Sequence, residues 1–146
     1  MGTSKWRTIR PAVGTPGLVE LPVTDLERAT YFYTTLFPQW VPAEYALGRS
    51  RLIETAGDTL IALERHDDDA GLLKPLIYFS AHDLDATLAR ATAAGGTVAA
   101  QIRPAPVPTS EHAMTTLGRH AVGRYAKIRD PDGTLVGLWD LGAGQG

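Results

Sequence analysis

The chain of 146 residues contains no cysteine, which excludes disulfides, thiolate-bound metal and a cysteine nucleophile. It has no apolar run approaching the roughly 20 residues that a membrane-spanning helix needs. Met1 to Lys5 lacks the apolar stretch of a secretory signal, so a cytoplasmic protein is the expectation. Lys and Arg number 14 against 16 Asp and Glu, a net charge of −2. That balance lacks the basic excess of a nucleic-acid binder. Glycine-rich phosphate loops, an ordered Ser, His and Asp triad, and interleaved basic and aromatic residues are all missing. What remains is 44% hydrophobic and 21% charged, which is ordinary for a globular protein. The length suits one domain, or two small modules sharing a core.

The chain repeats itself. Val23-Thr24-Asp25-Leu26-Glu27-Arg28-Ala29 is related to Ala81-His82-Asp83-Leu84-Asp85-Ala86-Thr87, 58 positions later. Each stretch follows a β-like run and opens an amphipathic helix, which reads as two copies of one unit around a small-molecule cavity. In the first half, residues 17–23 form a strand, and Thr24 with Glu27 matches a capping box. Leu26, Ala29, Tyr33 and Leu36 give a helix face that ends at Phe37-Pro38. Strands follow at 50–55 and 59–66 across the Ala56-Gly57-Asp58 turn. Tyr33 and Phe37 fit a helix core.

The second half has a strand at 76–81, then a helix marked by Leu84, Leu88 and Ala91 and stopped by Gly95-Gly96. Strands follow at 97–102, 124–129 and 135–139, the last two joined by the Asp130-Pro131-Asp132-Gly133 turn. Residues 103–123 form a long connection with Pro104, Pro106 and Pro108. A loop of that length in so small a domain points to function. A short helix at 111–117 would let Met114 and Leu117 fold down as an apolar cover.

Three segments, PVTDLERATYFYTTLFPQW, YFSAHDLDATLARATAAGGTV and GRYAKIRDPDGTLVGLW, together resemble the vicinal oxygen chelate superfamily. That group includes glyoxalase I, extradiol dioxygenases, fosfomycin-resistance enzymes and bleomycin-resistance proteins. The resemblance implies an α+β fold of two βαβββ modules forming a curved mixed sheet around a cleft, commonly paired as a homodimer. It assigns 17–66 to the first module and 76–140 to the second, within one domain over 1–146.

Strand alternation divides the residues between the two faces of that sheet. Val19, Leu21 and Val23 pack under the helices, which leaves Leu18, Glu20 and Pro22 in the cleft. In the repeat, Ile77, Phe79 and Ala81 face the helix, and Leu76, Tyr78 and Ser80 face the cleft. Trp139 is placed to stack on a planar ligand or to pack in the core.

Metal-using members of the superfamily are similar in four His, Glu or Gln ligand positions on the first and last strands of each module. Those positions here hold Leu18, Leu76, Gly137 and Ala62, with Glu64 as the alternative to Ala62. Leu, Ala and Gly offer no donor, and one carboxylate cannot hold a catalytic metal. No cofactor is expected. Glu20, flanked by apolar residues, is the candidate general base. Tyr78 would orient a ligand or donate to an oxyanion. Glu64 and His66 precede Asp67-Asp68-Asp69, which suggests a strand end leaving for solvent. Glu111, His112 and His120 in the loop offer proton transfer, ligand contacts or a relocated metal site.

The functional expectation is a protein binding a small organic molecule in a metal-free cleft, sequestering an antibiotic or metabolite. The alternative is a metal-independent isomerase, lyase or cyclase with Glu20 as base. A third is a metal-dependent lyase or dioxygenase using Glu20, Glu64 and the loop histidines.

Overall fold

The computed structural model describes residues 12–45, 48–55, 57, 59–67, 73–104 and 123–140. The first module comprises β1 (Pro16–Val23), α1 (Leu26–Leu36), β2 (Val41–Tyr45), β3 (Ser50–Glu54) and β4 (Leu60–Arg65). The second comprises β5 (Leu76–Ser80), α2 (Leu84–Ala93), β6 (Thr97–Pro104), β7 (Arg124–Arg129) and β8 (Leu135–Asp140). All the strands join one sheet in the order β2-β3-β4-β1-β5-β8-β7-β6. Each module is therefore a βαβββ unit, and the fold is the expected α+β architecture.

The two modules meet where β1 pairs antiparallel with β5. Val19 pairs with Ile77 there, and these two residues are also repeat equivalents. The seam therefore lies on the pseudo-twofold axis of the duplication. Within each module the first and last strands run parallel, β1 with β4 and β5 with β8.

Both helices begin the same way. Asp25 Oδ1 accepts from the Arg28 amide and Asp83 Oδ1 from the Ala86 amide, each at 3.0 Å. The expected Thr24 and Glu27 capping box is thus corrected by one residue. The helix starts at Leu26, so the Asp25 carboxylate reaches the orphan amide itself. Glu27 is released to pair with Arg51 of β3 at 2.8 Å.

The helix-facing side of the sheet holds two cores. Under α1, Leu26, Ile53, Ile61 and Leu63 pack with Val19, Leu21 and Val23. Under α2, Ala81, Leu84, Leu88, Ala126 and Leu138 do the same work. Each fully buried Leu or Ile contributes about 1.5–3 kcal/mol through removal of apolar surface from water. A third cluster, Leu52, Leu60, Ala62, Leu76, Tyr78 and Trp139, lies on the opposite, concave face, with Leu18 packed against it.

Several boundaries differ from the sequence expectation. β2 was not expected, because Pro42 breaks the strand signature; at a sheet edge its missing N–H costs nothing. β6 continues through Arg103 and Pro104, so the long connection begins later. Leu36 and Phe37 are exposed, since the helix ends before the sheet can cover them, and Phe37 stacks on Trp40 with ring centroids 4.7 Å apart. Ile77 is 41% exposed, because neither helix core includes the seam residue of β5. Among the described residues no helix is long and apolar enough to cross a membrane.

Candidate functional site

Glu20 sits mid-strand on β1, in register with Ala62 of β4 on one side and Leu76 of β5 on the other. Pleating turns its carboxylate to the concave face. There Glu20 Oε2 accepts a hydrogen bond from Tyr78 Oη at 3.2 Å. Glu20 and Tyr78 are repeat equivalents, so the antiparallel seam has brought the same position of both modules into contact.

Burial pushes the Glu20 carboxyl up to about 7, and the nearby charge of Glu64 pushes the same way. Lys127 and the Tyr78 hydrogen bond oppose this, because both favour the charged carboxylate. Burial and the Glu20 charge together raise the Tyr78 phenol above its ordinary value. Tyr78 thus remains protonated and donates toward the ionised Glu20 carboxylate.

The Tyr78 ring lies over β8. A Cβ on Gly137 would approach Tyr78 Cε2 and Cγ at 2.6 Å, so no larger residue fits beneath the ring. Tyr125 meets the ring edge to face, with centroids 6.2 Å apart. Gly137 and Tyr125 therefore fix the ring whose hydroxyl meets Glu20.

Glu20 forms part of the wall of a cavity of about 500 Å³. The first module supplies Glu20, Pro22, Glu64 and His66. The second supplies Lys74, Pro75 and Leu76 from the approach to β5. Arg129, Leu135 and the β7–β8 turn between them close the remaining side. In that turn Asp130 Oδ1 accepts from the amides of Asp132 and Thr134, each at 2.9 Å, and Gly133 takes φ +90°. The turn has the chemistry expected of it, and it also lines the cavity.

Of the residues that strand alternation assigned to the cleft, Glu20, Pro22 and Leu76 reach the cavity wall. Tyr78, 4% exposed, stands behind Glu20 and touches the cavity only through it. Leu18 packs on the concave apolar cluster, and Trp139 is buried within it. Ser80 is buried, its amide donating to the Thr15 carbonyl at 2.8 Å. Glu111, His112, Met114, Leu117 and His120 lie outside the described residues.

Glu64 and His66 require a correction. Both line the cavity, and Glu64 Oε2 accepts from Ser50 Oγ at 3.0 Å. The acidic run follows them, but β4 stays paired to β1 through Arg65, which keeps Glu64 on the concave face. The centre of the concave face is filled by Leu52, Leu60, Tyr78 and Trp139, and the cavity of about 500 Å³ lies beside Glu20 and Glu64. Sequence reasoning missed Lys74 and Arg129. One precedes a strand and the other ends one, so neither belongs to a pattern that points inward.

The four superfamily metal positions can be tested on their surroundings. Ala62 and Leu76 are buried in the concave apolar cluster with Leu18 packed against it, and Gly137 is covered by the Tyr78 ring. None offers an oxygen or nitrogen donor, so these positions do not fit a metal ion. Among the described residues no group of three or more His, Asp or Glu is arranged to hold one.

Comparison with known proteins agrees with this architecture. Methylmalonyl-CoA epimerase from Mycobacterium tuberculosis superposes with TM-score 0.62 at 17% identity, over 92% of this chain and 94% of that one. A glyoxalase/bleomycin resistance protein/dioxygenase superfamily member from Vibrio splendidus gives TM-score 0.56 at 12% identity, over 84% and 96% of the respective chains. The Mn(II)-bound glyoxalase from Novosphingobium aromaticivorans gives 0.60 at 20% identity, over 88% of this chain and 39% of that one. No curated protein matches the sequence significantly. The model of the Glyoxalase/Bleomycin resistance protein/Dioxygenase superfamily matches residues 15–138, and the chain belongs to that superfamily.

Proposed function

We propose that this protein binds a small organic molecule in the cavity beside Glu20 and that Glu20 acts on it as a metal-independent general base. The observation that carries this reading is a buried carboxyl, hydrogen-bonded by Tyr78, in the wall of a cavity of about 500 Å³. A carboxyl titrating near 7 is about half ionised at neutral pH, where a general base is most effective. The reaction class is proton removal from carbon next to a carbonyl. The C–H bond breaks, the proton goes to a Glu20 oxygen, and the electron pair moves to the carbonyl oxygen as an enolate. Protonation of the opposite face of the same carbon gives epimerisation, and protonation of a neighbouring atom gives isomerisation. Tyr78, donating to Glu20 from behind, holds the carboxylate in one orientation while it gives and takes the proton.

Two features support this reading. The superfamily metal positions carry no donors, so proton transfer rests on the side chains present. The structural relatives also include proteins named as epimerases. A second reading, a protein that only sequesters its ligand, draws on the bleomycin-resistance branch of the family.

The test is deuterium wash-in followed by proton NMR in heavy water, with pyruvate, levulinate and acetoacetate as probes. The expected result is enzyme-dependent exchange at the carbon next to a carbonyl in at least one probe. Glu20→Gln, still folded by circular dichroism, should slow it by about a hundredfold or more. Exchange that persists in Glu20→Gln contradicts the assignment. Binding of a probe with no exchange at any carbon favours sequestration.

A further inference from the structure

The cavity carries charges of both signs, and its two cations, Lys74 and Arg129, both come from the second module. The carboxylates of Glu20 and Glu64 line the side contributed by β1 and β4. Facing them, the second module contributes Lys74 and Arg129. Lys127, on the same strand as Arg129, stands near enough to Glu20 to favour its charged form. Among the described residues Lys74 forms no ion pair. Arg129 Nη1 donates to the Gly133 carbonyl at 2.9 Å. That bond braces the guanidinium against the β7–β8 turn, and among the described residues it engages one of five N–H donors.

We infer that this wall is a subsite for an anionic group of the substrate, a carboxylate or a phosphate, held by Lys74 and Arg129. A braced guanidinium offers the forked donors that match two anionic oxygens, and Lys74 adds a mobile point charge. Asp132 and His66 also line the cavity. Asp132, Lys74 and Arg129 are all exposed, so water screens each of them alike, and the two cations outweigh the one acid on this wall. Glu64 repels the anion from the opposite wall, so the two walls orient the ligand together. The anionic end goes to the second module and the other end to Glu20. That last step rests on the general-base reading above, whereas the binding of the anion does not.

The two substitutions Lys74→Ala and Arg129→Gln test this, singly and together, by NMR titration of the labelled full-length protein with malonate and with inorganic phosphate. The wild type should show saturable amide shifts at residues 74, 76, 129, 130 and 132–135 that weaken as salt is added. Each single variant should weaken binding about tenfold, the worth of roughly 1.4 kcal/mol. Saturation by malonate and not phosphate assigns a carboxylate subsite, and the reverse assigns a phosphate subsite. The inference is overturned if neither probe saturates, or if the double variant binds as tightly as the wild type. Glu20→Gln should bind the anion at least as well as the wild type, because a negative charge has gone from the cavity. Anion binding without any deuterium wash-in would therefore remove the base and leave the subsite standing.

Discussion

The two modules share a backbone and differ on one face of it. Their β1–β4 and β5–β8 pairs are parallel, their helices start on Asp25 and Asp83, and their helix-facing sides are apolar in the same places. On the concave face the equivalents part. Glu20 pairs with Ala62 where Tyr78 pairs with Gly137, and Pro22 pairs with Glu64 where Ser80 pairs with Trp139. The first module thus supplies carboxylates and the second aromatic rings. Residue size is matched across each pair, since the ring of Tyr78 needs a glycine beneath it and the Glu20 chain tolerates alanine. The positions under the helices have stayed alike, while those on the concave face differ.

Gly137→Ala strikes the asymmetry hardest. The added methyl would overlap the Tyr78 ring, so the ring must leave and its bond to Glu20 is lost. Overpacking of this kind costs about 1–3 kcal/mol. The melting temperature should fall by several degrees, and deuterium wash-in should fall with it. The equivalent change in the first module, Ala62→Gly, creates no overlap and should leave the Tyr78 bond intact. Equal loss of wash-in in both variants would break the comparison.

Glu20→Gln has an effect whose sign depends on pH. The folded protein binds the Glu20 proton more tightly than the unfolded chain, whose carboxyl has the ordinary value of 4.5. Folding is therefore favoured by this group below about pH 4.5, and the contribution is lost as pH rises through 7. At pH 8 the wild type buries a carboxylate that the variant lacks. The variant should then be the more stable by about 2 kcal/mol, a figure reduced for partial solvent exposure. At pH 4 the gain should vanish. Thermal melts at the two pH values check it, and a gain that is the same at both would contradict it.

Tyr78→Phe removes the donor and keeps the ring. Its stability cost should be about 1 kcal/mol, and the Glu20 carboxyl should titrate higher than in the wild type. Glu64→Gln should move the titration the other way, since a like charge is gone. The smallest effect falls where the modules agree. Asp25→Ala and Asp83→Ala should each cost about 1 kcal/mol and differ little from one another in melts.

Strand alternation made much of this legible in the sequence. In β1 the apolar residues under α1 alternate with Leu18 and Glu20, and β5 repeats the pattern around Tyr78, so period-two side-chain geometry was enough to put these residues on one face. Alternation did not reveal which of them stay wet. Trp139 and Ser80 are buried because neighbouring strands fill the centre of the sheet, and that filling is a property of eight strands together. Glu64 and His66 were obscured by the acids that follow them. Lys74 and Arg129 were hidden because one precedes a strand and the other ends one, and only the assembled sheet brings them to the same cavity as Glu20.

The most direct test of the account is a carbon-13 NMR titration of the Glu20 carboxyl, assigned by its loss in Glu20→Gln. The account predicts a midpoint near 7 that falls in Glu64→Gln. A midpoint near the ordinary 4.5, unmoved by Glu64, would mean that the carboxyl is a solvated surface charge, and the proposed base would have to be abandoned.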